Sequence, residues 1–360
     1  MSHAARSVLR VWRRLTTPKG ARRAGPGQRT LLACSGGADS CALVLALARP
    51  ATRSQLVVAH VVHDLRPREQ VLADRDAAQA LARQLGLEFL EREVQVKHAT
   101  GNVESTAREA RYAALADMAR ACGAKFVATA HHADDQIETV LMSLLRGTGG
   151  AGIRGMAEKR RLRGSGSEVI WLIRPMLAAG DVGRTEAEQL CRDAGIEWQV
   201  DATNADTSRL RAALRHRVLP VLKELRPDLG IRAAATARQA DSAARVIRRS
   251  AQARLRAGAA ATSEPQWSWP RPELRAEQPA ILSEMVRLAR HRTGGGQGAD
   301  RLTRRMLEAI ARAIADDSTE PRTFVIGGES FGALEVRVTA RHVRFAIASP
   351  ASGRPLGPEH

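Results

Sequence analysis

At 360 residues, 44% hydrophobic and 26% charged, the chain has length for about two or three domains and for a sizeable core. Its longest apolar run, Cys41 to Ala48, is far short of the roughly 20 residues that a bilayer-spanning helix needs. Four scattered cysteines without CxxC spacing exclude a disulfide framework or a cysteine-held cluster, while a formal charge of +18 favours a polyanionic partner, nucleic acid above all.

Residues 1–29 carry eight Arg/Lys and no acid. With no apolar h-region or cleavage-like site, this stretch reads as a basic, flexible lead-in rather than a targeting signal. A short apolar run, Leu31 to Cys34, then stops at Ser35-Gly36-Gly37-Ala38-Asp39-Ser40, and a helical pattern (Leu43, Val44, Leu47) follows at once. Strand, glycine turn and helix in that order direct unpaired N–H groups and a positive dipole end at the turn, which suits phosphate. An ordinary capped strand-to-helix turn is the plain alternative. No Gly-Lys-Ser/Thr follows, so a Walker loop is excluded.

Gln55 to His63 reads as a buried β-branched strand ending in His63-Asp64-Leu65-Arg66, and residues 68–85 as an amphipathic helix closed by Gly86. Glu88 to Val96 alternates like a strand, residues 102–121 form a helix, and Phe126 to Ala130 is β-like. A polar cluster, His131 to Glu138, and a helix, Ile137 to Leu145, follow. Strands alternating with helices imply a parallel, Rossmann-like α/β sheet with ligands beyond the carboxyl ends of its strands. By that rule Ser35 to Ser40, His60 to Arg66 and His131 to Glu138 face one crevice.

A glycine stretch (Gly147 to Gly155) and an Arg/Gly/Ser loop (Lys159 to Ser167) are next. They precede a strand (Val169 to Ile173), a helix over 182–194 and a strand near Trp198 that leads to Asp201-Ala202-Thr203-Asn204. The character changes at Pro220 to Pro227. Residues 207–256 hold thirteen Arg/Lys against three acids, with Arg245, Arg248, Arg249 and Arg256 striping an alanine-rich helix. A solvated face is the usual reading of such a run; an excess this one-sided calls for an anionic partner or neighbouring acids. Residues 263–273 form a proline-punctuated loop whose Trp267 and Trp269 either stack on bases or, more in keeping with tryptophan, pack between domains. Helices near 278–292 and 300–316 flank Gly294-Gly295-Gly296, and 323–347 reads as two or three short strands turning at Gly327-Gly328.

Taken together, the ordered motifs resemble one family. SGGADS is similar to the pyrophosphate loop of the N-type ATP pyrophosphatases, the PP-loop superfamily. HVVHDLR, ESTAREARY (Glu104 to Tyr112), TAHHADDQIETVLMSLLRGTGGAGIRGM (Thr129 to Met156), RPML (Arg174 to Leu177) and DATNADTSRLRAALRHRVLP (Asp201 to Pro220) resemble the tRNA(Ile)-lysidine synthetases. The likeness departs at Val62, where a polar residue is common, and at Ala212, where Asn is usual. It implies a PP-loop ATPase domain over 30–220, a smaller, mainly helical, basic tRNA-binding domain with a short β tail over 221–348, and a disordered tail over 349–360.

The activity so implied is cytoplasmic ligation of free L-lysine to C2 of the wobble cytidine of tRNA(Ile) with a CAU anticodon. ATP and Mg²⁺ serve the reaction, which passes through an adenylated cytidine, and a homodimer is compatible with it. Within that resemblance Ser35, Gly36, Gly37, Asp39, Ser40, His63 and Arg111 bind ATP, and Asp39 and Asp135 hold Mg²⁺. Asp39 is otherwise an N-terminal helix acid. Asp135 accepts lysine's proton or anchors its cation, Asp134 orients or binds Mg²⁺, His132 donates to phosphate or leaving AMP, and Arg108 steadies the adenylate. His131 is expected to be buried and satisfied, and Glu138 to be a helix-start acid. Arg146, Arg174, Arg211, Arg215, Arg245, Arg248 and Arg249 are the expected tRNA contacts. The rival readings are another PP-loop tRNA modifier such as a tRNA thiolase, or a non-catalytic basic RNA-binding protein.

Overall fold

The computed structural model describes residues 1–18, 27–96, 103–147, 153–162, 168–199, 210–260, 266–293, 302–327 and 333–348. The expected Asp201 to Asn204 turn, the Gly294 to Gly296 linker, the 349–360 tail, and parts of the glycine stretch and the Arg/Gly/Ser loop lie outside them. The chain divides into two compact units, Met1–Ala240 and Asp241–His360.

In the first unit, strands β1 (Thr30–Ala33), β2 (Leu56–His63), β3 (Glu88–Val94), β4 (Phe126–Ala128), β5 (Lys159–Arg161) and β6 (Trp171–Ile173) make one sheet in the order β3-β2-β1-β4-β6-β5. All neighbours are parallel except β5, which runs antiparallel on β6. The order turns back at β1. Its two neighbours are reached by connections leaving in opposite directions, which opens a crevice beyond the strand ends between β1 and β4.

Alternation along the strands assigns the two faces. Leu32, Val58, Phe126, Ala128 and Ile173 enter the core beneath α1 (His3–Thr16), α2 (Ala38–Leu47) and α3 (Arg68–Gln84). Leu31, Ala59, Val61, Val127 and Leu172 pack on the other side with Tyr112, Leu115 and Met118 of α4 (Val103–Ala121). Beyond β4, α5 (Ala133–Leu145) is followed by α6 (Pro175–Ala179), α7 (Arg184–Asp193), α8 (Leu210–Ala213), a π turn (Leu214–Val218), α9 (Leu219–Leu225) and α10 (Leu229–Ala257), which continues into the second unit.

Four expectations change with the fold. Residues 3–16 are a helix, not a flexible lead-in: Ala5, Val8, Leu9, Trp12 and Leu15 form an apolar stripe that docks on α2 and α6, and Trp12 Nε1 donates to Thr30 Oγ1 at 3.0 Å. Lys159–Arg161 is an edge strand rather than loop, and the segment near Trp198 packs on the core without joining the sheet. The expected boundary after Pro220 also moves, because α8, the π turn and α9 pack on α5 and stay with the first unit.

The second unit holds an antiparallel sheet, β7 (Trp267–Pro270), β8 (Arg322–Ile326), β9 (Leu334–Val338) and β10 (His342–Ile347), in the order β7-β10-β9-β8. Helices α11 (Arg271–Arg275), α12 (Pro279–Arg292) and α13 (Arg304–Ala315) complete it. Trp267 and Trp269 lie on a strand and are buried. Trp269 meets Phe345 edge-on at 5.1 Å, so both rings serve this unit's own core and are closed to stacking with bases. Arg271, also buried, donates to the carbonyls of Ala313 and Ile314 and caps the end of α13.

Candidate active site

The turn after β1 is built by its own side chains. Gly36 has φ +81°, and a Cβ there would stand 2.8 Å from the Asp74 carbonyl oxygen, so only glycine fits this approach of turn to α3. Ser40 Oγ accepts from the Ser35 N–H at 3.0 Å and donates to the Gly37 carbonyl at 2.9 Å. Its hydroxyl is therefore the latch that shapes the loop. Gly37 caps α2 without a side chain, which leaves the first-turn N–H groups facing the crevice.

A cavity of about 950 Å³ opens beyond the strand ends. Ser35, Asp39, Ser40, His63, Arg111 and Asp135 line it, and Arg146, Arg211 and Arg215 close its α5–α8 side. Three turns that are remote in sequence thus share one wall, as their positions after successive strands require. Gly36, Gly37, Arg108, His132, Asp134 and Arg174 are not among the residues that line it.

His132 is buried behind the wall, with Nε2 3.5 Å from Asp39 and Nδ1 3.7 Å from Asp135. Burial opposes charge on the imidazole, but the Asp135 and Asp39 carboxylates prevail and push its pKa up to about 9. His131 faces the cavity instead, half-buried, with Nδ1 2.9 Å from Thr129 Oγ1. Burial first, and then the Arg174 guanidinium, lower its pKa to about 3, so it is a neutral imidazole. His132 thus stands between two carboxylates behind the wall, and His131 is the histidine that lines the cavity.

Asp135 closes α5's first turn by accepting the His132 N–H at 3.1 Å, and its other oxygen accepts from Arg211 Nη2 at 2.9 Å. Burial would raise its pKa, but the His132 and His131 imidazoles and Arg211 lower it to about 2. Glu138, fully buried, accepts from Arg211 Nε at 2.7 Å and Arg215 Nε at 2.6 Å. It is more than a helix-start acid, and the two arginines lie inside the crevice on carboxylates. Ala212, between them in sequence, presents only a methyl group to the wall.

Asp134 departs from expectation. It is buried away from the cavity, accepting the Arg184 N–H at 3.0 Å and pairing with Lys223 Nζ at 2.6 Å, and so it braces α5 against α7 and α9. Arg174 is buried too. Its guanidinium donates to the Ala157 carbonyl, which removes it from any surface RNA could reach. Arg108 lies over the Tyr112 ring at 5.1 Å, and Arg111 at 5.8 Å.

The sequence reading missed Asp74, Thr129 and the outward role of His131. Asp74 had a signal: it falls on the apolar phase of α3, with Val71, Ala78 and Leu81, where a carboxylate needs a partner and finds one in Arg66. For Mg²⁺ the donor set divides. Asp39 Oδ1 stands beside the charged His132 Nε2 at 3.5 Å, so the fit to a hard cation falls to its other carboxylate oxygen, on the cavity side, together with phosphate oxygens. Both oxygens of Asp135 are engaged by the His132 N–H and Arg211, and do not fit.

The family model for the PP-loop domain matches residues 10–222. The chain belongs to the PP-loop family. It is 41% identical over 217 residues to a tRNA(Ile)-lysidine synthase of Geobacter sulfurreducens, covering 59% of this chain and 44% of that one. It is 36% identical over 293 residues to one of Symbiobacterium thermophilum (78% and 59%), and 40% identical over 240 residues to one of Thermus thermophilus (65% and 43%). The chain thus spans about half the length of these curated relatives. No helix among the described residues is long and apolar enough to cross a membrane.

Proposed function

We propose that the chain ligates free L-lysine to C2 of the wobble cytidine of the CAU-anticodon tRNA(Ile), consuming ATP and releasing AMP and pyrophosphate, in the cytoplasm. The observation that carries this reading is the single cavity in which the PP-loop turn, Asp39, Asp135 and several guanidinium groups converge. The names of the relatives supply the substrates.

In the first step cytidine O2 attacks the α-phosphorus, and the bond from that phosphorus to the oxygen bridging it to the β-phosphorus breaks. Pyrophosphate leaves with the electron pair. The N-terminus of α2 and the latched loop meet the β- and γ-phosphates, and Arg111 neutralises charge at the rim. Asp39 would hold Mg²⁺, which when bound offsets triphosphate charge. In the second step the neutral ε-amine attacks C2, the C2–O bond breaks, AMP leaves, and the new nitrogen gives up a proton.

Asp135, ionised down to about pH 2, is too weak a base to take that proton from an ammonium group. It serves as the anion that anchors the lysine side chain, which takes over the place of Arg211. Glu138 stays paired to Arg215 and keeps the second guanidinium in position.

The test is incubation with ATP, Mg²⁺, labelled lysine and unmodified tRNA. ATP-dependent label in RNA with equimolar AMP is expected, and Asp135→Asn raises the KM for lysine roughly thirtyfold or more. RNA binding without AMP production would instead make the chain a non-catalytic RNA-binding protein. An unchanged KM for lysine in Asp135→Asn would mean that Asp135 does not anchor lysine.

A further inference from the structure

Alternation along the second unit's sheet sends Trp267, Trp269, Val336, Val338, Val343 and Phe345 into the core. The opposite phase is exposed. Register then places four residues side by side across all four strands: Ser268 opposite Arg344, Arg344 opposite Arg337, and Arg337 opposite Thr323. All four are exposed. At a strand spacing of roughly 4.8 Å the row is about 14 Å long. It consists of two guanidinium groups flanked by two hydroxyls.

Like charges directly opposite on an antiparallel pair repel each other, so Arg337 facing Arg344 costs the fold something and needs a reason. Neither arginine makes an ion pair among the described residues. Glu335, two residues from Arg337 on the same face, pairs in register with Ala346 and forms no ion pair with either arginine. His342 extends the face from Arg344 toward Pro270. The row is therefore a set of anion donors held at fixed spacing by the sheet, and among the described residues no acid pairs with them.

We propose that this outer face is a docking surface for the phosphodiester backbone of RNA. Guanidinium groups bind phosphate oxygens in forked pairs, and serine and threonine hydroxyls are ordinary donors to the same oxygens. Among the described residues Phe, Tyr and Trp are missing from this face, and the row itself offers only guanidinium and hydroxyl donors, so it positions RNA without reading its sequence. The two arginines share one row, and so they bind neighbouring phosphates of one strand. The occupant rests on the reading that the chain acts on tRNA; the surface itself lies on a different sheet from the cavity.

The experiment measures tRNA affinity of the full chain against salt for the wild type, the Arg337→Gln/Arg344→Gln double variant and the Arg337→Lys/Arg344→Lys double variant. Each lost phosphate contact lowers the slope of log affinity against log salt by about one, so the glutamine pair is expected to reduce it by about two and to bind roughly tenfold more weakly. The lysine pair retains most of the slope. The glutamine pair also leaves the melting temperature unchanged or raised, because it relieves a repulsion, and leaves ATP binding untouched.

Equal affinity and slope in wild type and glutamine pair overturn the proposal while tRNA recognition stands. Weaker binding with an unchanged slope, or with a lowered melting temperature, overturns it as well, since the loss is then not ionic. A wild type that binds no tRNA overturns the reading of function beneath it.

Discussion

Adjacent histidines in one turn have opposite fates, and their neighbours decide which. His131 looks toward Arg174, Arg108 and Arg111 and stays neutral, whereas His132 looks toward Asp135 and Asp39 and stays charged. The charge on His132 is linked to stability. Its folded pKa of about 9 lies above the ordinary 6.5, so its contribution is complete below about pH 6.5 and disappears as pH rises through about 9. Asp135, lowered to about 2 from 3.8, contributes above about pH 3.8 and loses that contribution only as pH falls through about 2. Between about pH 6 and 9.5 the His132 contribution therefore varies alone within this pair. The wild type is expected to lose denaturant resistance over that interval, and His132→Gln, weaker at neutral pH, is expected to lose much less. Urea midpoints at the two pH values measure this; parallel losses in both proteins would mean that His132 is not the charged partner of Asp39 and Asp135.

At the scale of elements, α1 shows how a core helix escapes a reading of composition. Its arginines dominate the sequence, yet Val8, Trp12 and Leu15 recur at helical spacing and fill one face of the α/β core. Trp12 is fully buried, so Trp12→Ala is expected to destabilise the first unit by about 3–5 kcal/mol, and Trp12→Phe by much less. Thermal or urea denaturation checks the order; a Trp12→Ala protein as stable as wild type would mean that α1 does not dock. The strand–helix alternation and the site-bearing turns were legible because parallel strands announce themselves as β-branched runs, and their carboxyl ends must converge. Arg174, Asp134 and the two tryptophans were not. An arginine buried on a carbonyl and an arginine meeting RNA have the same sequence signature, and short strands such as Lys159–Arg161 and Trp267–Pro270 acquire their state from the partners they pair with.

Over the whole molecule, basic residues exceed acids by 18, but the structure shows that these charges are not equivalent. Arg211 and Arg215 are occupied by Glu138 and Asp135, Arg245 by Asp241, and Arg271 by the end of a helix. Arg248, Arg249, Arg337 and Arg344 are exposed and make no ion pair among the described residues. Other exposed arginines, Arg232 and Arg304 among them, do carry acid partners, so the unpaired groups are the part of the excess that we propose for binding a polyanion. A surface that neutralises many phosphates releases many counterions, so tRNA affinity is expected to fall by about three orders of magnitude between 50 and 200 mM salt. ATP binding, which involves three phosphates met largely by loop N–H groups, is expected to fall far less over the same range. Measuring both by titration on one preparation separates the distributed charge from the cavity. A tRNA affinity no more salt-sensitive than that for ATP would mean the excess charge has no part in holding RNA.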